Sequence, residues 1–188
     1  MMATTAQSET GTLGSVVVKH PRDAFGSPER IATQWSELNY HEAPDFDRAV
    51  DEFDRFVELL EGAGAAIVSV PGDGAATLDS IYVRDAAIIT DAGAVLCAMG
   101  KAERSDEPQQ LQPVLAAAGI EVLGSISGYG RLEGGDVAWL PGNRLAVGRS
   151  YRSNDEGFRQ LLELTRDAVE EIVQVSLPHW RGPDDVFH

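Results

Sequence analysis

Acidic side chains stand directly before two apolar stretches of the chain, and their positions are the first sign of chemistry. Asp85 precedes the run AAIIT, and Glu133 and Asp136 precede the run VAWL. A carboxylate at the mouth of a buried strand costs several kcal/mol of folding free energy unless a cation or hydrogen-bond donors compensate it. These three carboxylates therefore need partners, and this makes them candidate site residues.

The elements that would carry these carboxylates repeat along the chain. The segment GAVLCAMG that follows the first run aligns with NRLAVGRS after the second, and Arg104 opens one later helix as Arg152 opens the other. Each copy predicts a strand, a second strand, a helix and a third strand, with a period of about fifty residues. A looser copy precedes them. Such modules stack or close in a ring, because one module cannot bury its apolar face alone.

Hydrophobic periodicity predicts the individual helices and strands. Apolar residues at helical spacing predict a helix over 46–63, which Gly62 and Gly64 end. Strands are expected at GSVVVKHPR and AAIVSVP, on either side of that helix. Further helices are expected over 105–119 and from about 154 to 168.

The domain organisation follows from these elements. The small polar residues 1–14 predict a disordered tail. A partial α/β domain is expected over 15–188, with modules over 15–72, 73–124 and 125–178 and the start of a fourth over 179–188.

Composition narrows the classes of function. The chain has 188 residues and a formal net charge of −15, which would repel a phosphate backbone, so a nucleic-acid partner is not expected. No apolar run reaches the roughly 20 residues that span a bilayer, so we expect a soluble, cytoplasmic protein without a membrane partner. The single cysteine, Cys97, permits no intramolecular disulfide, which agrees with a reducing compartment, and its apolar strand predicts a buried core residue. Such an acidic surface suits high salt, and a GC-rich genome explains the composition equally well.

Four motifs occur in an order that resembles a known superfamily. They are LDSIYVRD at 78–85, LEGGDV at 132–137, GRSYRSNDEG at 148–157 and VFH at 186–188. Together they resemble the guanidino-group-modifying enzymes, which include dimethylarginine dimethylaminohydrolase, arginine deiminase and the amidinotransferases. The resemblance implies a pentein-type five-bladed α/β propeller, of which about three strand–strand–helix–strand modules are present here.

The resemblance also implies roles for particular residues. Asp85 would bind the guanidinium nitrogens, and Glu133 would orient and charge the catalytic His188, with Asp136 beside them. At the polar end of the substrate, the likeness implies contacts from Asp79 and Arg152, with Arg152 gripping an α-carboxylate. Arg84 and Asp136 are further candidate substrate-binding residues. A guanidinium offers five donors in one plane, so carboxylates from different modules can hold it in a single orientation.

The chemistry that the resemblance implies is covalent and uses no metal or organic cofactor. A cysteine thiolate attacks the guanidinium carbon, and the histidine protonates the leaving amine and then activates a water or an acceptor amine. In the family the nucleophile lies well beyond the histidine. We therefore expect it outside these 188 residues, because Cys97 is expected in the core.

Several alternatives stay open at this stage. An amidinotransferase would use the same residues but pass the amidino group to an amine. Arg84 stands where the dimethylarginine hydrolases have an acidic residue, which is closer to the deiminase and transferase pattern. A non-catalytic guanidino-binding or ribosome-binding propeller is the alternative from another class. Exposed strand edges in a partial ring would favour homo-oligomers or pairing between chains.

Overall fold

A computed structural model of the protein describes residues 5–72 and 74–178. Residues 12–83 form one compact unit, and residues 84–178 together with 5–11 form a second. The predicted start of a fourth module at 179–188, which includes His188, lies outside the described residues.

The first unit contains two paired strands and three helices, which lie between those strands in the sequence. In chain order its elements are β1 (Ser15–Val18), α1 (Pro21–Ala24), α2 (Pro28–Gln34), α3 (Phe46–Gly62) and β2 (Ala66–Ser69). Strands β1 and β2 run parallel, with Ser15 opposite Ala66. The long helix and both strands are confirmed. The short helices α1 and α2 were not predicted, because four to seven residues are too few to display a periodicity.

Local chemistry explains where these short helices begin. The side chains of His20 and Ser27 accept hydrogen bonds from backbone amides of the first turns of α1 and α2, and a proline follows each cap. The helices then contribute to a core that contains Phe25, Ile31 and Leu78. Trp35 and Tyr40 pack against this core.

The second unit contains two sheets with the same topology. Its elements are β3 (Ala87–Thr90), β4 (Gly93–Leu96), α4 (Glu107–Ala117), β5 (Val122–Ser125), β6 (Val137–Leu140), β7 (Arg144–Arg149), α5 (Asp155–Thr165) and β8 (Glu171–Ser176). In each sheet the first two strands are antiparallel and the third is parallel to the second. The α/β fold and its strand–strand–helix–strand repeat are therefore confirmed.

Both sheets of this unit share one apolar core. Ile88, Val95 and Cys97 from the first repeat pack in the same cluster as Val137 and Leu145 from the second. Short 3-10 turns, Val83–Ala86 and Gly134–Asp136, precede β3 and β6 at the same point of the repeat. The sequence repeat thus becomes a structural one, and it brings acidic residues to equivalent strand mouths.

The N-terminal segment, residues 5–11, corrects the prediction of a disordered tail over 1–14. The Gln7 side chain is only 8% exposed; it accepts a hydrogen bond from the Asp91 amide at 3.0 Å and donates one to the Ala168 carbonyl at 3.1 Å. Glu9 accepts from the Trp139 amide of β6 at 3.0 Å. A polar sequence suggested a solvated chain, but here polar side chains satisfy backbone groups at turns and at a strand edge.

Among the described residues, no helix combines the length and the apolar character that crossing a membrane requires.

Candidate active site

Asp85 binds a guanidinium that belongs to the chain itself. Its Oδ2 accepts a hydrogen bond from Arg104 Nη1 at 2.7 Å, while Arg104 Nε and Nη2 donate to the two oxygens of Glu107 at 2.9 and 2.7 Å. Burial alone would lower the pKa of Arg104, whose side chain is 4% exposed, but the hydrogen bonds and charges of Glu107 and Asp85 outweigh it and raise that pKa. The arginine is thus a fixed cation in the wall of the site.

Glu133 is fully buried and joins the two modules. Its Oε1 accepts a hydrogen bond from the amide of Gly100 at 2.8 Å and lies 3.4 Å from Arg152 Nη1. Its own amide donates to Ser153 Oγ at 3.2 Å. Since Gly100 follows β4 and Arg152 follows β7, one glutamate contacts the loops of both modules.

Asp136 is held by two hydroxyl groups. Its Oδ2 accepts hydrogen bonds from Ser150 Oγ at 2.6 Å and Ser153 Oγ at 2.5 Å. These serines flank Arg152, so the aspartate at the mouth of β6 is bonded to the loop that carries the arginine.

Cys97 is a buried residue of the apolar core that the two modules share. Burial raises the pKa of its thiol, the negative charges of Asp85 and Glu133 raise it further, and a hydrogen bond to the Gly134 backbone acts weakly in the opposite sense. A protonated, buried thiol is a poor nucleophile, and this agrees with the prediction of a core cysteine.

The glycine after Glu133 permits close approach of the backbone there. A Cβ atom on Gly134 would collide with the backbone carbonyl of Arg84. Only a residue without a side chain fits this contact.

Two predicted substrate-binding residues, Arg84 and Asp79, contact other groups of the protein. The Arg84 guanidinium donates to Glu9 Oε1 at 3.0 Å and to the Val137 carbonyl at 2.8 Å, and 60% of its side chain is exposed. Asp79 is buried within the unit formed by residues 12–83. There burial raises the pKa of Tyr40, and the neighbouring Tyr82 and Asp79 raise it further. The predicted catalytic His188 lies outside the described residues.

The sequence did not single out four residues that complete the cluster: Arg104, Glu107, Ser150 and Ser153. The repeat contained a signal for one of them, because Arg104 aligns with Arg152. Nothing in the spacing indicated which carboxylate each arginine would choose, since that depends on the path of each loop.

The described part of the cluster contains both acidic and basic side chains. The carboxyl groups of Asp85, Glu107, Glu133 and Asp136 outnumber the guanidinium groups of Arg104 and Arg152 in the cluster. Among the described residues, no group of histidine, cysteine and acidic side chains is arranged to hold a metal ion.

Solved structures share this fold. A mutant of the dimethylarginine dimethylaminohydrolase from Pseudomonas aeruginosa, complexed with citrulline, matches with a TM-score of 0.71 and 22% identity, covering 89% of this chain and 62% of that one. An amidinotransferase from Microseira wollei matches with a TM-score of 0.70 and 16% identity, covering 92% and 62%. The fold is therefore that of the guanidino-group-modifying enzymes.

The sequence comparison gives the family. Residues 29–175 match the model described as N,N dimethylarginine dimethylhydrolase, eukaryotic. This chain belongs to that family. The curated dimethylarginine dimethylaminohydrolase of P. aeruginosa is 25% identical over 121 residues, which are 64% of this chain and 47% of that protein. The chain spans about half the length of the curated relatives it matches.

Proposed function

We propose that this chain forms the guanidino-binding part of a hydrolase that converts arginine or a methylated arginine to citrulline. One observation carries the proposal: the buried Glu133 at the mouth of β6 accepts a hydrogen bond from the Gly100 amide, in the loop after β4 of the module that holds the buried Asp85. Strand mouths that converge in this way offer acceptors from two sides, which suits a planar guanidinium.

The proposed roles follow the family pattern. Asp85 binds the guanidinium nitrogens, and Glu133 orients His188, which serves as general acid and then as general base. Arg152 grips the α-carboxylate at the polar end of the substrate. Arg84 joins it only by leaving Glu9 and the Val137 carbonyl.

The nucleophile is proposed to come from polypeptide outside this sequence. Cys97 is the single cysteine among the 188 residues, and its burial and raised pKa argue against thiolate chemistry. An arginine hydrolase of this type needs no metal or organic cofactor.

An amidinotransferase is the second candidate, and the fold shared with the enzyme from M. wollei favours it. The two reactions differ in the acceptor, which is water in one and an amine in the other. Product analysis by mass spectrometry, with and without added glycine, separates them: a hydrolase forms citrulline without the amine, and a transferase requires it.

Location and assembly are further parts of the proposal. The single cysteine supports a cytoplasmic site of action, where thiols stay reduced. Among the described residues, β8 is the edge strand of its sheet and its Val175 is exposed, which supports pairing between copies of the chain.

Calorimetric titration of this chain with L-arginine, dimethylarginine and neutral citrulline tests the binding step. We expect saturable binding of the two cations and much weaker binding of citrulline. Asp85→Asn should weaken arginine binding at least about tenfold, because it removes a charge-assisted acceptor. Glu133→Gln should also weaken it, because the neutral amide no longer holds the Arg152 guanidinium as an ion pair. The matched control is Asp167→Asn, whose carboxylate is 91% exposed. No arginine binding, or equal affinity for citrulline, would overturn the proposal.

A further inference from the structure

Equivalent residues of the two repeats make different contacts. Asp85 and Asp136 precede the first strands of their modules, and Arg104 and Arg152 occupy matching places before the helices. In the β3–β5 module the arginine binds the aspartate directly, at 2.7 Å. In the β6–β8 module Arg152 instead lies 3.4 Å from Glu133.

The aspartate of the β6–β8 module is bound by two serines. In the β6–β8 module both hydroxyls donate to Asp136 Oδ2, Ser150 at 2.6 Å and Ser153 at 2.5 Å. The repeat position of Ser150 is Gly100 in the other module, and a glycine has no hydroxyl to offer. The amide of Gly100 serves Glu133 instead.

The serines also act as acceptors, and this fixes the loop between them. Ser150 Oγ accepts from the amides of Arg152 at 2.9 Å and Ser153 at 3.2 Å. Ser153 Oγ accepts from the Glu133 amide at 3.2 Å. A hydroxyl has one donor and two acceptor sites, so each serine can donate to Asp136 while it holds these backbone groups.

We propose that Asp136 is a positioning residue: through Ser150 and Ser153 it fixes the 150–153 loop and directs Arg152 toward Glu133. This differs from the direct substrate contact that the sequence implied for Asp136. The inference deepens the proposed function, on whose binding site it rests. Without the serine contacts, Arg152 would turn to Asp136, as Arg104 turns to Asp85.

A set of variants distinguishes positioning from direct binding. Asp136→Asn keeps a carbonyl oxygen for the serine hydroxyls, so arginine affinity should stay within about threefold of wild type, whereas Asp136→Ala should lose about tenfold. The double variant Ser150→Ala/Ser153→Ala keeps the charge of Asp136 and should nevertheless lose about as much as Asp136→Ala. The matched control is Ser105→Ala, at the exposed position of the other repeat that corresponds to Ser153.

Affinities by calorimetry and ligand-free crystal structures of the double variant and of Ser153→Ala complete the test. We expect Arg152 to move onto Asp136 in the double variant and partly in the single variant. A direct ligand would show the reverse pattern: Asp136→Asn as damaging as Asp136→Ala, and no loss in the serine variants. Either that pattern or an Arg152 that stays on Glu133 overturns the inference. If the wild-type chain binds no arginine, the proposed function fails, and the position of Arg152 still decides this one.

Discussion

Three buried carboxylates of the site use three kinds of donor. Asp85 has a guanidinium, Glu133 has a backbone amide as well as an arginine, and Asp136 has two hydroxyls. A guanidinium carries a full positive charge, so its loss leaves a buried anion uncompensated. The loss of one hydroxyl removes a neutral hydrogen-bond donor and leaves the other hydroxyl bonded to the anion. The cost of a substitution should therefore depend on the donor.

Arg104→Ala should be the most destabilising of these substitutions. It removes the cation between Asp85 and Glu107, both of which are buried, and breaking a buried ion pair in this way costs about 3–5 kcal/mol. Urea unfolding followed by circular dichroism measures the free energy of unfolding. The matched control is Arg159→Ala, another arginine that pairs with a glutamate three residues away but at the surface, where little change is expected. Equal losses in the two variants would contradict a buried triad.

The Cys97 thiol should give stability a dependence on alkaline pH. Its pKa is raised in the folded state above the ordinary 9.0, so the unfolded chain loses this proton first as the pH rises. The folded state then binds more protons, and the free energy of unfolding should fall above about pH 9 by about 1.4 kcal/mol per pH unit. Cys97→Ala lacks this contribution. Urea unfolding of both proteins between about pH 8 and about pH 10 should show the steeper fall in wild type; parallel curves would contradict it.

Among the structural elements, the sequence predicted those that a long residue pattern specifies. The helical spacing that begins at Phe46 predicted α3, and the repeat predicted the strand–strand–helix–strand order of both three-stranded modules. Short helices such as α1 were not predicted, because they depend on one capping residue and one proline. The sequence also did not predict which carboxylate each arginine of the site would bind. That choice depends on hydroxyls and loop paths, which leave no periodic trace in the sequence.

Gly134 should tolerate no side chain. A methyl group there would meet the Arg84 carbonyl, and both groups belong to backbone that cannot rotate away. Gly134→Ala should cost about 1–3 kcal/mol of stability. The control is Gly62→Ala at the end of α3, where a Cβ atom meets nothing within 4 Å and alanine is the better helix former. Urea unfolding of the two variants should give opposite or very unequal changes, and a neutral Gly134→Ala would be evidence against the close approach.

Gln7 should stabilise the unit that it joins, although it stands in a polar segment near the N-terminus. Gln7→Ala leaves the Asp91 amide and the Ala168 carbonyl without their side-chain partner, at a cost of about 1–3 kcal/mol. Hydrogen exchange measured by mass spectrometry should show faster exchange around residue 91. Ser8→Ala is the control, because the exposed Ser8 hydroxyl bonds only within the N-terminal segment. If both variants exchange alike, the segment does not stabilise this unit.

At the scale of the whole molecule, charge is unbalanced. Thirty acidic residues face fifteen lysines and arginines, so negative charges outnumber positive charges two to one. The excess negative charges repel one another in the folded state, where they are closer together than in the unfolded chain. Surface pairs such as Arg159–Glu156 gain little in return. Screening by salt should therefore weaken the repulsion between carboxylates more than it weakens the attraction within ion pairs.

Stability should accordingly rise with salt. Between about 0.02 and about 0.2 M NaCl the Debye length falls to less than ~10 Å, and the melting temperature should increase by several degrees. The control variant replaces Asp51, Glu58 and Glu61 of α3 with their amides; all three are exposed, and the last two lie near the helix C-terminus, where negative charge is unfavourable. This variant should melt higher at low salt and respond less to added salt. A melting temperature that falls with salt would mean that ion pairs, and not repulsion, dominate the electrostatics of the surface.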